Sequence, residues 1–272
     1  MIAYFPDIYE DELVYSIMCR LYLHLGIPSS CIAKKYIYGD MTARVDSYGI
    51  GHLQPYVMEA LTKRIPEKEL IINHTMFTYL TAFDSISNKQ DEYSKAVRGE
   101  NIYGRYGNMR LQLKYCPICA REDAIKYGEA YYHRKHQLTT ACLKHMVKIK
   151  SIDISVGKRK LPALLPLENE RDESCEQATE QDIKYSMYVS RFMSQRLSIS
   201  NHMDYGMTNI ISRFMKGGKK LAALYSDYES DSAEDNLKKA RRNLFFFRTD
   251  TVLQAGYVLG IPERELFRLY EK

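Results

Sequence analysis

The chain has 272 residues, 45% of them apolar and 27% charged, with a formal net charge of +5. That length allows a sizeable core in one large domain or two modest ones, and no run approaches the roughly 18 uninterrupted apolar residues of a membrane span. Six cysteines over such a length do not make the dense disulfide framework of a small secreted domain. The opening, with Asp7, Glu10, Asp11 and Glu12, does not read as a signal peptide, so a soluble cytoplasmic protein with reduced thiols is expected.

In chain order, "DELVYSIMCRLYLHLG" places Leu13, Val14, Ile17, Met18, Leu21 and Leu25 on one face of a helix, with Asp7 or Asp11 as its cap. Gly26 and Pro28 end it, and Ser29 or Ser30 caps a second helix through "SCIAKKYIYG". Two short helices around a tight glycine turn are the local signature of a helix-turn-helix. Pro55 suits a further helix start, and "PEKELIINHTMFTYLTAF" continues the helical spacing through Leu70, Ile71, Phe77 and Leu80. "LPALLPLENERDESCEQATEQD" combines two prolines with an acidic strip and reads as a linker. Beyond it, "DIKYSMYVSRFMSQRL", "MTNIISRFMKG" and "AEDNLKKARRNLFFF" are again helical in spacing. The "LGIP" of residues 25–28 recurs at 259–262, which predicts a second turn of the same kind.

The charge is uneven. Residues 111–165 carry 11 basic against 4 acidic groups, whereas 166–182 carry 1 against 7. Basic surface favours phosphate-rich partners through counterion release. The cations expected to meet a nucleic acid or a partner protein are Arg20, Lys34 and Lys35 near the first turn, Arg134 and Lys135 in the cysteine-rich segment, Lys158, Arg159 and Lys160, and finally Lys238, Lys239, Arg241 and Arg242.

Within the basic block, Cys116 and Cys119 are followed by Cys142 and His145 in a C-x2-C-x22-C-x2-H array. Paired ligands at this spacing let two knuckles each offer two donors to one tetrahedral ion, which predicts a single structural zinc. Four protein ligands fill that shell, so the site organises a fold and leaves no open position for chemistry. Three other readings exist. Cys116 and Cys119 have the form of a redox dithiol, but no strand-rich sequence surrounds them. A disulfide needs an oxidising compartment. His133 or His136 can replace His145 as ligand only by breaking the paired spacing. The same two histidines could serve a zinc-dependent nuclease, with only Glu122, Asp123 and Glu129 at hand as further ligands.

The stretch "YCPICAREDAIKYGEAYYHRKHQLTTACLKH" resembles the zinc-binding signature of the TniQ/TnsD family of transposon target-site selection proteins. The match runs through Cys116, Pro117, Cys119, Glu122, Asp123, Gly128, Glu129, Tyr131, His133, Arg134, His136, Gln137, Leu138, Cys142 and His145; Tyr132 stands where the family usually has tryptophan. "FPDIYEDELVYSIMCRLYLHLG" is similar to the family's opening, and "ELIINHTMFTYLTAF" to its H-T-x-F-x-Y-x-x-F stretch through His74, Thr75, Phe77, Tyr79 and Phe83. The resemblance spans residues 4–150. It implies a non-catalytic adaptor of Tn7-like transposition in a bacterial cytoplasm. Such an adaptor binds double-stranded DNA or docks on a CRISPR effector complex, in some members as a homodimer, and recruits a TnsC-like AAA+ ATPase. The alternatives are the zinc-dependent nuclease and a zinc-containing DNA-binding transcriptional regulator.

The expected fold is therefore mainly α: a helical N-terminal domain with a helix-turn-helix over 1–110, a zinc-finger module over 111–165, an acidic linker over 166–182, and a helical C-terminal domain over 183–272 carrying a second helix-turn-helix candidate.

Overall fold

The computed structural model describes residues 4–43, 45, 50–84, 86–97, 112–156, 161–167, 175–195 and 249–268. Helices predominate, with a few short strands. Two compact units divide the described residues, one drawn from Met1–Thr78 and Glu92–Ser186, the other from Tyr79–Asp91 and Met187–Lys272.

In the first unit, α1 (Val14–His24) buries Val14, Ile17, Met18 and Leu21. Its start differs from expectation. Neither Asp7 nor Asp11 caps it; Leu13 holds the N-cap position without a side-chain bond, and the Leu13 amide donates to the carbonyl of Tyr132 at 3.1 Å. Asp11 sits at φ +60°, where its carbonyl accepts from the Arg134 amide at 2.7 Å and its carboxylate from the Lys135 amide at 3.1 Å. A tertiary contact with residues 132–135 has displaced the local cap.

The turn after α1 follows the sequence. Gly26 adopts φ +61°, a left-handed conformation that costs glycine little. Ser29 then caps α2 (Ser30–Tyr38), its Oγ accepting from the Ile32 amide at 3.3 Å. Pro55 opens α3 (Pro55–Thr62) at the position where its missing N–H is no loss. The helical run expected through residue 80 is broken, because Thr75 is extended (φ −130°, ψ 169°) and ends α4 (Glu67–His74). Its hydroxyl donates to the Ile71 carbonyl at 2.6 Å and accepts from the Phe77 amide at 3.1 Å, before α5 (Phe77–Leu80) begins. A further helix, α6, covers Ile86–Val97.

Three antiparallel two-stranded ladders follow. The strand β1 (Gln112–Tyr115) pairs with β4 (Lys150–Asp153), β2 (Ala141–Cys142) with β3 (Val147–Lys148), and β5 (Ser155–Val156) with β6 (Leu161–Pro162). Helix α7 (Pro117–Tyr127) leaves β1 directly, and a single 3-10 turn occupies Arg134–His136. The described end of the acidic strip is fastened to β3: Lys148 donates its amide to the Glu176 carbonyl at 2.8 Å, and Ala178 to that of Met146 at 3.0 Å. The following helix, α8 (Glu180–Met193), starts on a reciprocal cap between Thr179 and Asp182. Its Ser186 hydroxyl accepts from the Ala141 amide at 2.8 Å.

The second unit has a small core of its own. Phe83 stacks on Phe192 with ring centroids 5.8 Å apart, and the Thr249 hydroxyl donates to the Tyr79 carbonyl at 2.7 Å. Helices α9 (Thr249–Val258) and α10 (Glu263–Arg268) are separated by the second "LGIP". Gly260 there has φ +67°, close to the value at Gly26. No helix among the described residues is long and apolar enough to cross a membrane.

Candidate metal centre

Strand β1 delivers the chain to Cys116, which occupies the N-cap of α7 with Pro117 behind it, so that Cys119 lies one turn on along the same face. The second knuckle is the tight connection between β2 and β3. Cys142 ends β2, its carbonyl accepts from the Met146 amide at 2.8 Å, and Met146 takes φ +57° to close the turn around His145.

These two knuckles bring Cys116, Cys119, Cys142 and His145 together, with all four donor atoms within 4.8 Å of one another. His145 Nδ1 is 3.4 Å from the sulfurs of Cys116 and Cys119 and 3.6 Å from that of Cys142, and the sulfurs of Cys119 and Cys142 are 3.8 Å apart. A tetrahedral zinc with ordinary Zn–S and Zn–N lengths requires donor separations of about 3.8 Å between sulfurs and about 3.6 Å from sulfur to nitrogen. The four side chains could thus hold one metal ion.

Electrostatics point the same way. Hydrogen bonds from Cys116 and Cys119 hold the Cys142 thiol far below the ordinary range, while hydrogen bonding to the other two pushes Cys119 far above it. Three buried sulfurs this close ionise together only around a cation. Beyond the donors, Glu122 Oε2 lies 3.2 Å from His145 Nε2 and 2.5 Å from Lys144 Nζ. A carboxylate behind a ligating imidazole favours a proton on the nitrogen that faces it, here through an ion-pair contact without an aligned hydrogen bond. The sequence offers Glu122 as a motif residue and as a further ligand in the nuclease alternative, and gives no sign of its place beside His145.

The dithiol does sit between a strand and a helix, contrary to the expectation that no strand adjoins it. That strand, however, pairs antiparallel with β4, so the surroundings are not a parallel βαβ unit.

His133 and His136 take other positions. His133 Nε2 is 2.7 Å from Asp123 Oδ2 and its ring is buried. His136 borders the donors, its Nε2 3.9 Å from the Cys119 sulfur, and burial lowers its pKa.

The expected contact cations divide. Lys35 and Lys135 are exposed. Arg20 and Lys34 are each 2% exposed and face inward, so neither presents its charge to a phosphate. Lys34 Nζ donates to the carbonyls of Pro162 at 2.8 Å and Ala43 at 3.2 Å. Arg20 donates to Glu12 Oε2 at 2.8 Å and Glu129 Oε1 at 2.5 Å, with the Tyr9 ring 4.0 Å from its guanidinium carbon. Arg134 is engaged by the Ile72 carbonyl and by Asp11. Lys158, Arg159, Lys160, Lys238, Lys239, Arg241 and Arg242 lie outside the described residues.

Comparison with known proteins places this geometry in context. The family model described as TniQ matches residues 3–149. The transposon Tn7 transposition protein TnsD of Escherichia coli is 27% identical over 158 residues, covering 52% of this chain and 30% of that protein. The chain therefore matches about a third of that relative's length.

Proposed function

Because the chain belongs to the TniQ family, we propose that it selects target sites for a Tn7-like transposon as a non-catalytic adaptor. It binds double-stranded DNA or docks on a CRISPR effector complex, and it recruits a TnsC-like AAA+ ATPase. The observation that carries this reading is the family match across the unit that contains the four-donor cluster.

In this proposal Cys116, Cys119, Cys142 and His145 hold one zinc ion, whose chemistry there is purely structural: it ties the start of α7 to the β2–β3 turn. A fully protein-ligated ion leaves no open position for substrate. Helices α1 and α2, with the Gly26 turn between them, form a helix-turn-helix whose exposed α2 residues include Ile32, Lys35 and Tyr36. Helices α9 and α10, around the turn at Gly260, are a second candidate of the same kind. With Arg20 and Lys34 inside, phosphate contacts would fall to Lys35, Lys135 and the basic groups outside the described residues.

The test is a transposition assay in cells carrying the element's transposase and ATPase, with and without this chain. Insertions at a defined site that depend on it, together with retention of the ATPase on the immobilised protein in the presence of nucleotide and DNA, are expected. Unchanged insertion frequency and site distribution in its absence would refute the proposal.

A further inference from the structure

Three thiolates and a neutral imidazole around one divalent ion leave a surplus of one negative charge. Cys116, Cys119 and Cys142 are all buried, where such a surplus is costly unless N–H groups point at the sulfurs. Two of the sulfurs find their donors within their own knuckles. Cys116 accepts from the Cys119 amide and Cys142 from the His145 amide, each three residues on. Cys119 holds the second place in its knuckle, and its sulfur faces the His136 ring, with Nε2 3.9 Å away.

That ring is 3% exposed and is held from both sides of the first knuckle. It belongs to the 3-10 turn Arg134–His136. The Gln137 side chain ties this turn to β1, donating to the Lys114 carbonyl at 2.9 Å and accepting from the Lys114 amide at 3.0 Å. His133, whose ring meets that of His136 edge-on with centroids 5.1 Å apart, is bonded to Asp123 on α7. The tautomer follows from the two ring nitrogens. Nδ1 is buried and has no hydrogen-bond partner among the described residues. A proton there would leave a donor unmet and turn the Nε2 lone pair toward a thiolate. A proton on Nε2 aims the donor at sulfur and leaves only one unmet acceptor.

We propose that His136 is a positioning residue of the metal centre: its Nε2–H donates to the Cys119 thiolate, offsets the surplus charge and tightens metal binding without joining the ligands. His145 Nδ1, at 3.4 Å from the sulfurs of Cys116 and Cys119 and 3.6 Å from that of Cys142, takes the fourth ligand place. His136 is thereby left beside a sulfur. The proposal rests on the zinc reading and goes beyond it by giving a task to a histidine outside the four donors. A packing role would need only a ring of this shape, whereas a donor role needs the N–H.

The experiment is NMR of the full-length chain with labelled imidazole nitrogens, loaded with a magnetically active cadmium isotope in place of zinc. A coupling between the metal and the His136 Nε2 proton, carried through the N–H···S path, is expected, with direct metal–nitrogen coupling at His145 alone. His136→Phe keeps a ring and removes the donor. It should weaken zinc binding about tenfold in competition with a chromogenic chelator, and in the cobalt-loaded protein it should move the sulfur-to-metal charge-transfer band to lower energy. His136→Gln, which returns an N–H near the Nε2 position, should recover most of both. The parent spectrum needs no substitution, so it decides even where a variant fails to fold. A His136 ring protonated on Nδ1 alone, an Nε2 proton uncoupled to the metal, or direct coupling at a His136 nitrogen would overturn the proposal. Equal losses in the Phe and Gln variants would reduce the residue to packing and overturn it too. A parent chain that takes up no metal would refute the zinc reading and this proposal with it, and its metal content shows that before any coupling is sought.

Discussion

Arg20 is one cation shared by two carboxylates, and that ratio decides how the site titrates. Glu129, partly exposed, is held below the ordinary carboxylate range against the pull of burial by its bond to Arg20 and its contact with His24. Glu12 is fully buried, and desolvation outweighs Arg20 to push its pKa up to about 7. A raised acid pKa means that the folded state binds the proton more tightly than the unfolded chain. The stabilisation is complete below about pH 4.5 and is lost as pH rises through 7. The first prediction is that Glu12 contributes a loss of about 2 kcal/mol between pH 5 and 7.5. Glu12→Gln, a mimic of the protonated form, should lack that slope. Denaturant melts of both proteins across this range measure the difference, and subtraction removes the opposite trend from metal ligands that must shed protons. Arg20→Ala should cost more, about 3–5 kcal/mol at neutral pH, because it empties the space of a large buried side chain and leaves the Asp7 carbonyl and the Glu12 carboxyl, which then takes up a proton, without their donor. Sequence reasoning placed Arg20 on phosphate because an arginine near a helix-turn-helix usually faces outward. Its partners, at positions 12 and 129, are joined only by the fold. The signal available was that all three belong to the stretches resembling one family.

At the scale of elements, what could be read from the sequence was punctuation. Gly26, Ser29, Pro55 and Gly260 sit where their backbone chemistry says they should, because φ freedom, a side-chain acceptor and a missing N–H act within one turn of chain. What could not be read was any boundary decided by a distant partner. Asp11 lost its capping role to a contact with Arg134 and Lys135, 123 and 124 residues away, and Thr75 broke a helix that its neighbours' spacing would have continued. The local devices make a graded prediction. At Gly26 an added Cβ meets nothing within 4 Å, so Gly26→Ala should cost only the left-handed backbone penalty, about 1–2 kcal/mol, and Gly26→Asn less. Ser29→Ala should cost about 1 kcal/mol through the lost cap. Chemical denaturation of the three variants tests the order; a Gly26→Ala protein as stable as the parent would show that the turn is not held in this conformation.

For the whole molecule, the four-donor cluster was the most legible part, since the pairing of candidate ligands two residues apart forces each pair onto one knuckle and only the approach of the knuckles remained to be found. Its surroundings were not legible: β1 and β4 meet across some thirty-five residues of chain, and β2 and β3 have two residues each. Two-residue strands and an eleven-residue helix with little apolar face gain too little from packing to persist alone. The proposed zinc must therefore supply much of the stability of this module, as structural zinc does where the apo chain cannot bury a core. The consequence is a two-tier response. Cys142→Ser removes a donor that also anchors the core between Cys116, Cys119 and Val147, so stoichiometric metal and the cooperative melt of the first unit should vanish together, and a strong chelator should do the same to the parent. Glu122→Gln touches no donor atom. It loosens only the carboxylate 3.2 Å behind His145, and should lower metal affinity about tenfold with the fold intact at saturating zinc. Competition against a chromogenic chelator separates the two. Because the Arg20 network and the His74 contact to the Glu12 carbonyl bind α1 and α4 to this same unit, loss of metal should also loosen the N-terminal helices. Hydrogen exchange in α1 of the chelated protein should rise with that in α7; α1 protection that survives complete metal removal would mean that the helical part stands without the ion.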